Sequence, residues 1–337
     1  MPEPNAAPSP TLFFQTVNAF QQTEVMRAAL QLDVFTAIAK GAQDAKAIAA
    51  TCKASARGMR VLCDYLVILG FLTKQNGKYS LTQDSAIFLD ARSPAFIGSA
   101  IQFLLSPRRT EGFQHLAEAV RKGGTATPES SVDPENPMWV DFARSMAPVM
   151  KIPAESLATL LKEQGVRPRK ILSLAAGHGL FEIAIARQNP QAQVWAVDWA
   201  NVLAVAQENA AAAGLADRYH VNPGSALDVD FGSGYDLALI INFISHFDVR
   251  TCENVLRKVY GSLNEDGRAV VMAFVPNEDR VSPPMAAEFA LSMLANTPAG
   301  DAYTYAEYQK MFSRAGFRST EQHALLPTAF SVVTATR

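Results

Sequence analysis

Two textures of apolar spacing divide the chain. In its first half, hydrophobic positions recur at the helical period expected of helices that bury one face. Phe13, Val17 and Phe20 open the pattern, and an apolar run from Val25 to Ile38 completes a predicted helix pair over residues 11–40, ended by Gly41. Asp44 and Ser55 stand where N-caps are expected for the next two helices. In the second of these, Leu62, Tyr65, Leu66 and Leu69 fall at i, i+3, i+4 and i+7, which predicts a buried stripe stopped by Gly70. Residues 71–74 and 79–82 read as strands around Gln75-Asn76-Gly77-Lys78, because Asn-Gly is the strongest short signal for a hairpin. Residues 91–165 read as helical and apolar, with loops at Ser106-Pro107, Gly123-Gly124 and Asp133-Pro134.

From Arg169 the period changes. Strand-length apolar runs alternate with helical stretches: Ile171–Ala176, Gln193–Val197, Tyr235–Phe243, Ala269–Val275 and Ser331–Ala335. Such alternation predicts an α/β domain, a parallel sheet covered on both faces. The last run is expected to enter as an antiparallel edge hairpin partner. The helix, helix, hairpin order of the N-terminal part is a winged-helix pattern. Arg57 and Arg60 lie near its would-be recognition helix, but no basic stripe or arm accompanies them, so dimerisation and scaffolding are the expected role rather than DNA binding.

Composition narrows the function classes. With 337 residues, 49% hydrophobic and 18% charged, the chain can bury two cores. Lys+Arg 30 against Asp+Glu 32 leaves a net charge of −2, with no general attraction to nucleic acid or an anionic membrane. Cys52, Cys63 and Cys252 form neither a disulfide framework nor a metal motif, which suits a reducing compartment. Residues 1–10 lack the basic-then-apolar pattern of a secretory signal, and no run approaches the ~18 apolar residues of a membrane span. A cytoplasmic protein is expected.

The chemistry gathers at strand ends. The strand over residues 170–176 runs into Gly177-His178-Gly179 and then a helix. In a doubly wound sheet ligands sit beyond the carboxyl ends of the strands, and glycines let the backbone approach them. The next strand ends at Asp198-Trp199, and an acid about 20 residues past the glycines is the usual partner of ribose hydroxyls. Trp199 could then pack on an adenine ring. A dinucleotide cofactor would want a third glycine where Glu182 stands, so hydride transfer is disfavoured. His246 follows the strand over residues 235–243, at the same sheet edge, and imidazole is the side chain best suited to accept a proton near neutrality. No second His, Cys or carboxylate stands at metal-ligand spacing around it, so no metal is expected. The segment Pro137 to Met146 is rich in Met and aromatics, which either pack a core or wall an apolar pocket.

With these residues in hand, the chain resembles the S-adenosylmethionine (SAM)-dependent small-molecule O-methyltransferases that carry an N-terminal winged-helix dimerisation domain, from about Thr11 to Thr336. The family's glycine loop matches Leu172 to Gly179 and its ribose acid matches Asp198. Its His-Asp-Trp signature matches His246-Phe247-Asp248 with Cys252 and Val255-Leu256. Its late Tyr-Thr-x-x-Glu segment and Ala-Gly-Phe turn match Tyr303 to Glu307 and Ala315-Gly316-Phe317. The resemblance implies a Rossmann-like domain with a mostly parallel seven-stranded sheet over 166–337, a winged-helix dimerisation domain over 11–100 and a helical linker over 101–165. It implies SAM as cofactor, a homodimer, a small-molecule methyl acceptor and His246 as general base. Ser173, Ala175, Gly177, Gly179, Asp198, Trp199, Gly224, Ser225, Asn242 and Phe243 would meet the cofactor. Trp139, Phe142, Met146 and Met293 would wall the acceptor pocket.

Several positions depart from that pattern. Ser173 replaces the acid of the glycine loop, Ala175 and Ala176 replace two of its glycines, and Gly224-Ser225 stands for Gly-Asp. Asn242 replaces a lysine, and the acid that supports the histidine falls on Ala290, with Glu288 two positions away. Each change removes a charge or conformational freedom near the cofactor, and a hydrogen bond to a charged group contributes about 1.5–3 kcal/mol. A ligand-binding or regulatory dimer, or a protein using the pocket for other chemistry, is the alternative that these changes motivate.

Overall fold

The computed structural model describes residues 8–128 and 136–337. The predicted loop at Asp133-Pro134 lies outside them. Two compact units emerge, Met1–Ile101 and Gln102–Arg337.

In the first unit Asp44 and Ser55 cap as expected: the Asp44 carboxylate accepts from the Lys46 and Ala47 amides, and the Ser55 hydroxyl from the Gly58 amide. The hairpin forms as β1 (Leu72–Gln75) and β2 (Lys78–Leu81), with Asn76 at φ 51° and Gly77 at φ 78°. Both are left-handed, as a two-residue hairpin turn requires. Two expectations are corrected. Residues 11–40 form three helices, Thr11–Val17, Phe20–Gln31 and Val34–Ala39, broken at Asn18-Ala19 and at Asp33 with φ 55°. The buried seam of the helix Ala56–Ile68 runs through Met59, Cys63 and Leu66, while Leu62, Tyr65 and Leu69 are only half-buried. Arg60 pairs with Asp64 at 3.0 Å.

The second unit is built on a seven-stranded sheet in the order β5-β4-β3-β6-β7-β9-β8. The strands are β3 (Lys170–Leu174), β4 (Gln193–Asp198), β5 (Tyr219–Pro223), β6 (Tyr235–Ile241), β7 (Leu263–Ala273), β8 (Ser319–Ala324) and β9 (Ser331–Thr336). β3 through β7 pair in parallel, and β9 runs antiparallel to both β7 and β8. The last strand is therefore the inner member of an antiparallel edge hairpin, as expected, which explains why four of its six residues are buried. Its partner, the polar strand β8, takes the edge itself. From β3 the chain winds to β4 and β5 on one side, then crosses to β6 and β7 on the other. The reversal leaves a crevice beyond the carboxyl ends of β3 and β6, the place where such sheets bind ligands.

The described residues contain no helix long and apolar enough to cross a membrane, and no group of three or more His, Cys, Asp or Glu that could hold a metal ion.

Candidate active site

A cavity of about 580 Å³ opens at that crevice. Its floor begins at the end of β3, where the chain leaves the sheet through Ala175 and Gly177, at φ 50° and φ 59°. A left-handed alanine costs about 1–2 kcal/mol, so the loop keeps the shape that glycine would adopt without strain. Asp198 ends β4 beside this turn. Its Oδ2 accepts the Gly177 amide at 2.9 Å and its Oδ1 accepts the Trp199 amide at 2.7 Å. The two bonds fix the carboxylate against the turn and leave further lone pairs for a ligand. Burial pushes its pKa up to about 6, against the pull of the two amides.

The next strand end supplies the opposite wall. Asn242 follows β6 at φ 49° and its amide donates to the Met272 carbonyl at 2.8 Å. Its side-chain oxygen is buried without a hydrogen-bond partner. A short turn, Ile244–His246, then carries the imidazole to the cavity. His246 Nδ1 lies 3.1 Å from the Phe243 carbonyl oxygen. A carbonyl can only accept, so Nδ1 carries the proton and Nε2 keeps a lone pair. Burial, with the nearby Arg109 charge also contributing and the Phe243 bond opposing, pushes the imidazole pKa down to about 4. The ring is neutral at pH 7. Trp139 meets it edge to face, with centroids 5.4 Å apart, and Phe142 meets Trp139 likewise at 5.7 Å. Glu288 is exposed and neither it nor Ala290 lines the cavity, so the backbone at Phe243 orients His246 instead of an acid.

Of the residues singled out from the sequence, the cavity brings together Ser173, Ala175, Gly177, Asp198, Trp199, Gly224, Ser225, Asn242, Phe243, His246, Trp139, Phe142, Met146 and Met293. Gly179 stands apart. It caps the helix Leu180–Gln188 at φ 77°, and a Cβ there would lie 3.0 Å from the Tyr219 hydroxyl and 3.1 Å from Ala206 Cβ. Close helix packing accounts for glycine at this position.

The sequence reading missed three polar groups. Glu182 is buried in the cavity wall with its Oε1 accepting from the Tyr219 hydroxyl at 2.6 Å. Burial pushes its pKa up to about 7, while the Tyr219 and Ser173 hydroxyls work against the rise. His178 is stacked between Phe142 and Phe181, and burial lowers its pKa to about 4. Arg109 is the one Lys or Arg among the lining residues. Its place in the polar run Pro107-Arg108-Arg109-Thr110-Glu111 carried no signal of this.

Comparison with known proteins agrees with this architecture. The O-methyltransferase domain family matches residues 113–318 and the O-methyltransferase dimerisation domain family matches residues 14–91. The chain belongs to the O-methyltransferase family. A candidate O-methyltransferase of Nostoc punctiforme PCC 73102 has a crystal structure that is 52% identical with a TM-score of 0.95, covering 98% of this chain and 100% of that one. The 3-hydroxy-5-methyl-1-naphthoate 3-O-methyltransferase of Streptomyces sahachiroi is 27% identical, over 91% of this chain and 89% of that protein. Human N-acetylserotonin methyltransferase, solved in complex with SAM, shares the fold at 22% identity and a TM-score of 0.85, over 99% of both chains.

Proposed function

We propose that this protein methylates a hydroxyl oxygen of a small aromatic or polycyclic compound, using SAM, with His246 as the general base. The observation that carries this reading is that Asp198 and His246, from different strand ends, line one cavity.

The residues fit such a cofactor. The Asp198 carboxylate is held by two amides yet retains acceptor capacity for ribose hydroxyls. A Cβ at Gly177 would meet nothing closer than Phe142 Cε1 at 3.7 Å, so the turn leaves space above it. The buried Asn242 oxygen awaits a donor, and an unmet buried acceptor costs about 1–3 kcal/mol. Ser173, Ala175, Trp199, Gly224, Ser225 and Phe243 complete the lining on this side.

When bound, SAM supplies a methyl carbon made electrophilic by the positive sulfur beside it. The protein's own part is to hold the acceptor and take its proton. Trp139, Phe142, Met146 and Met293 form an apolar wall that excludes water and fixes a flat ring. Proximity and orientation supply most of the acceleration. His246 Nε2 would take the proton of the acceptor hydroxyl, a transfer that contributes about 10²–10⁴-fold. A neutral histidine with a defined tautomer is ready for that step.

The dimerisation domain supports a homodimer. Leu12, Phe13, Phe14, Val17 and Phe20 are each more than half exposed, an apolar face that a single chain in water would not leave open. The free thiols of Cys52, Cys63 and Cys252 support a cytoplasmic setting.

The test is incubation of the purified protein with methyl-labelled SAM and a panel of hydroxyarenes. Label transferred to oxygen is expected for at least one; label transferred to none, with SAM bound, would favour the ligand-binding alternative.

A further inference from the structure

We propose that the methyl acceptor is a hydroxyarene carrying a carboxylate, and that Arg109 is the residue that receives it. This rests on the methyl-transfer reading above.

Arg109 sits on the helix Pro107–Gln114, which packs against the helix Pro284–Asn296. The two approach so closely that a Cβ at Gly112 would lie 2.5 Å from the Ala295 carbonyl oxygen. This contact fixes the base of the arginine. Its guanidinium carbon lies 4.9 Å over the Phe103 ring, and Nη2 donates to the Ser292 hydroxyl at 3.1 Å. The Nε–H is buried and has no acceptor.

No carboxylate within ion-pair distance of Arg109 exists among the described residues, and burial alone acts on its pKa, drawing it down. The acids of the cavity are occupied elsewhere, Asp198 by the Gly177 turn and Glu182 by Tyr219. A guanidinium left unmatched in an apolar wall is costly. Its planar fork of N–H donors matches a carboxylate, which can take two parallel bonds. A neutral ring in the same cavity would bury the charge further and leave it unmet. An arylcarboxylate places its ring among Phe103, Phe142 and Trp139 and its charge on Arg109. The arginine thus acts as a specificity determinant.

The test is calorimetry on protein first saturated with S-adenosylhomocysteine. Hydroxynaphthoic acids are titrated beside the naphthols that lack the carboxylate. At least one acid is expected to bind ten-fold or more tightly than its naphthol, and Arg109→Gln is expected to erase the difference while S-adenosylhomocysteine binds as before. Arg109→Lys should retain part of the preference, because it keeps the charge and loses the fork. Naphthols binding as well as the acids, a preference that survives Arg109→Gln, or no acid binding to the saturated protein would each overturn the proposal. The wild-type comparison decides even if the variants fail to fold. Failure of S-adenosylhomocysteine itself to bind shows before any acceptor is added, and strikes the underlying reading instead.

Discussion

Asp198 and Gly177 are joined by a 2.9 Å hydrogen bond from the glycine amide to the carboxylate Oδ2. The bond ties the end of β4 to the turn after β3, on one side of the crevice that the sheet topology opens. It also sets a pH dependence. Burial raises the Asp198 pKa to about 6, and only the ionised carboxylate offers all its lone pairs to ribose hydroxyls. S-adenosylhomocysteine affinity is therefore expected to hold above pH 7 and to weaken as pH falls through about 6. Asp198→Asn should lower affinity about 10- to 100-fold at pH 7.5, the equivalent of 1.5–3 kcal/mol, and flatten that dependence. Calorimetric titrations at pH 5.5 and 7.5 read both effects.

Replacing the proton acceptor separates chemistry from binding. His246→Gln is expected to lower kcat about 10²–10⁴-fold and to leave the dissociation constant of S-adenosylhomocysteine within three-fold. Single-turnover rates beside equilibrium titration make the split visible. An unchanged rate would remove His246 from the proton transfer.

Glu182 predicts an unusual stability profile. Its folded pKa of about 7 lies above the ordinary carboxylate value of 4.5. The protonated form is thus favoured on folding, so the native state is strained by the charged form at high pH and relieved as pH falls. Glu182→Gln keeps an acceptor for Tyr219 without the charge. It should stabilise the protein by about 1–3 kcal/mol at pH 8, and the gain should vanish by pH 4.5. Urea unfolding at the two pH values checks the sign.

The exposed apolar face of the first helices bears on assembly. Phe13→Glu combined with Phe20→Glu places two charges where both rings are 63% exposed. The double variant should sediment as a monomer at concentrations where the parent is a dimer, with its helical content retained. A parent that is itself monomeric would contradict the proposed homodimer.

Much of the architecture was legible because each signal was local. Asp44, Ser55 and the Asn76-Gly77 turn act within three or four residues of themselves, and the alternation of apolar runs with helices forces a covered parallel sheet. β8 was not legible. Ser-Thr-Glu-Gln-His-Ala has no apolar alternation, because an edge strand exposes most of its side chains. The expected edge hairpin therefore had β9 as its one legible strand. At the site, Asp198 and His246 could be found because a strand end fixes where a residue points. Arg109 could not, since its partner Ser292 lies 183 residues away and only tertiary packing brings them together. The orienting partner of His246 was hidden for a different reason: a backbone carbonyl has no sequence signature.

The most direct measurement is calorimetric titration of S-adenosylhomocysteine into the intact protein and into Asp198→Ala. Saturable 1:1 binding in the former, weakened at least ten-fold in the latter, is the result expected if the strand ends of β3, β4 and β6 form a nucleoside site. Absence of binding at millimolar ligand, or equal affinity in both proteins, would contradict it.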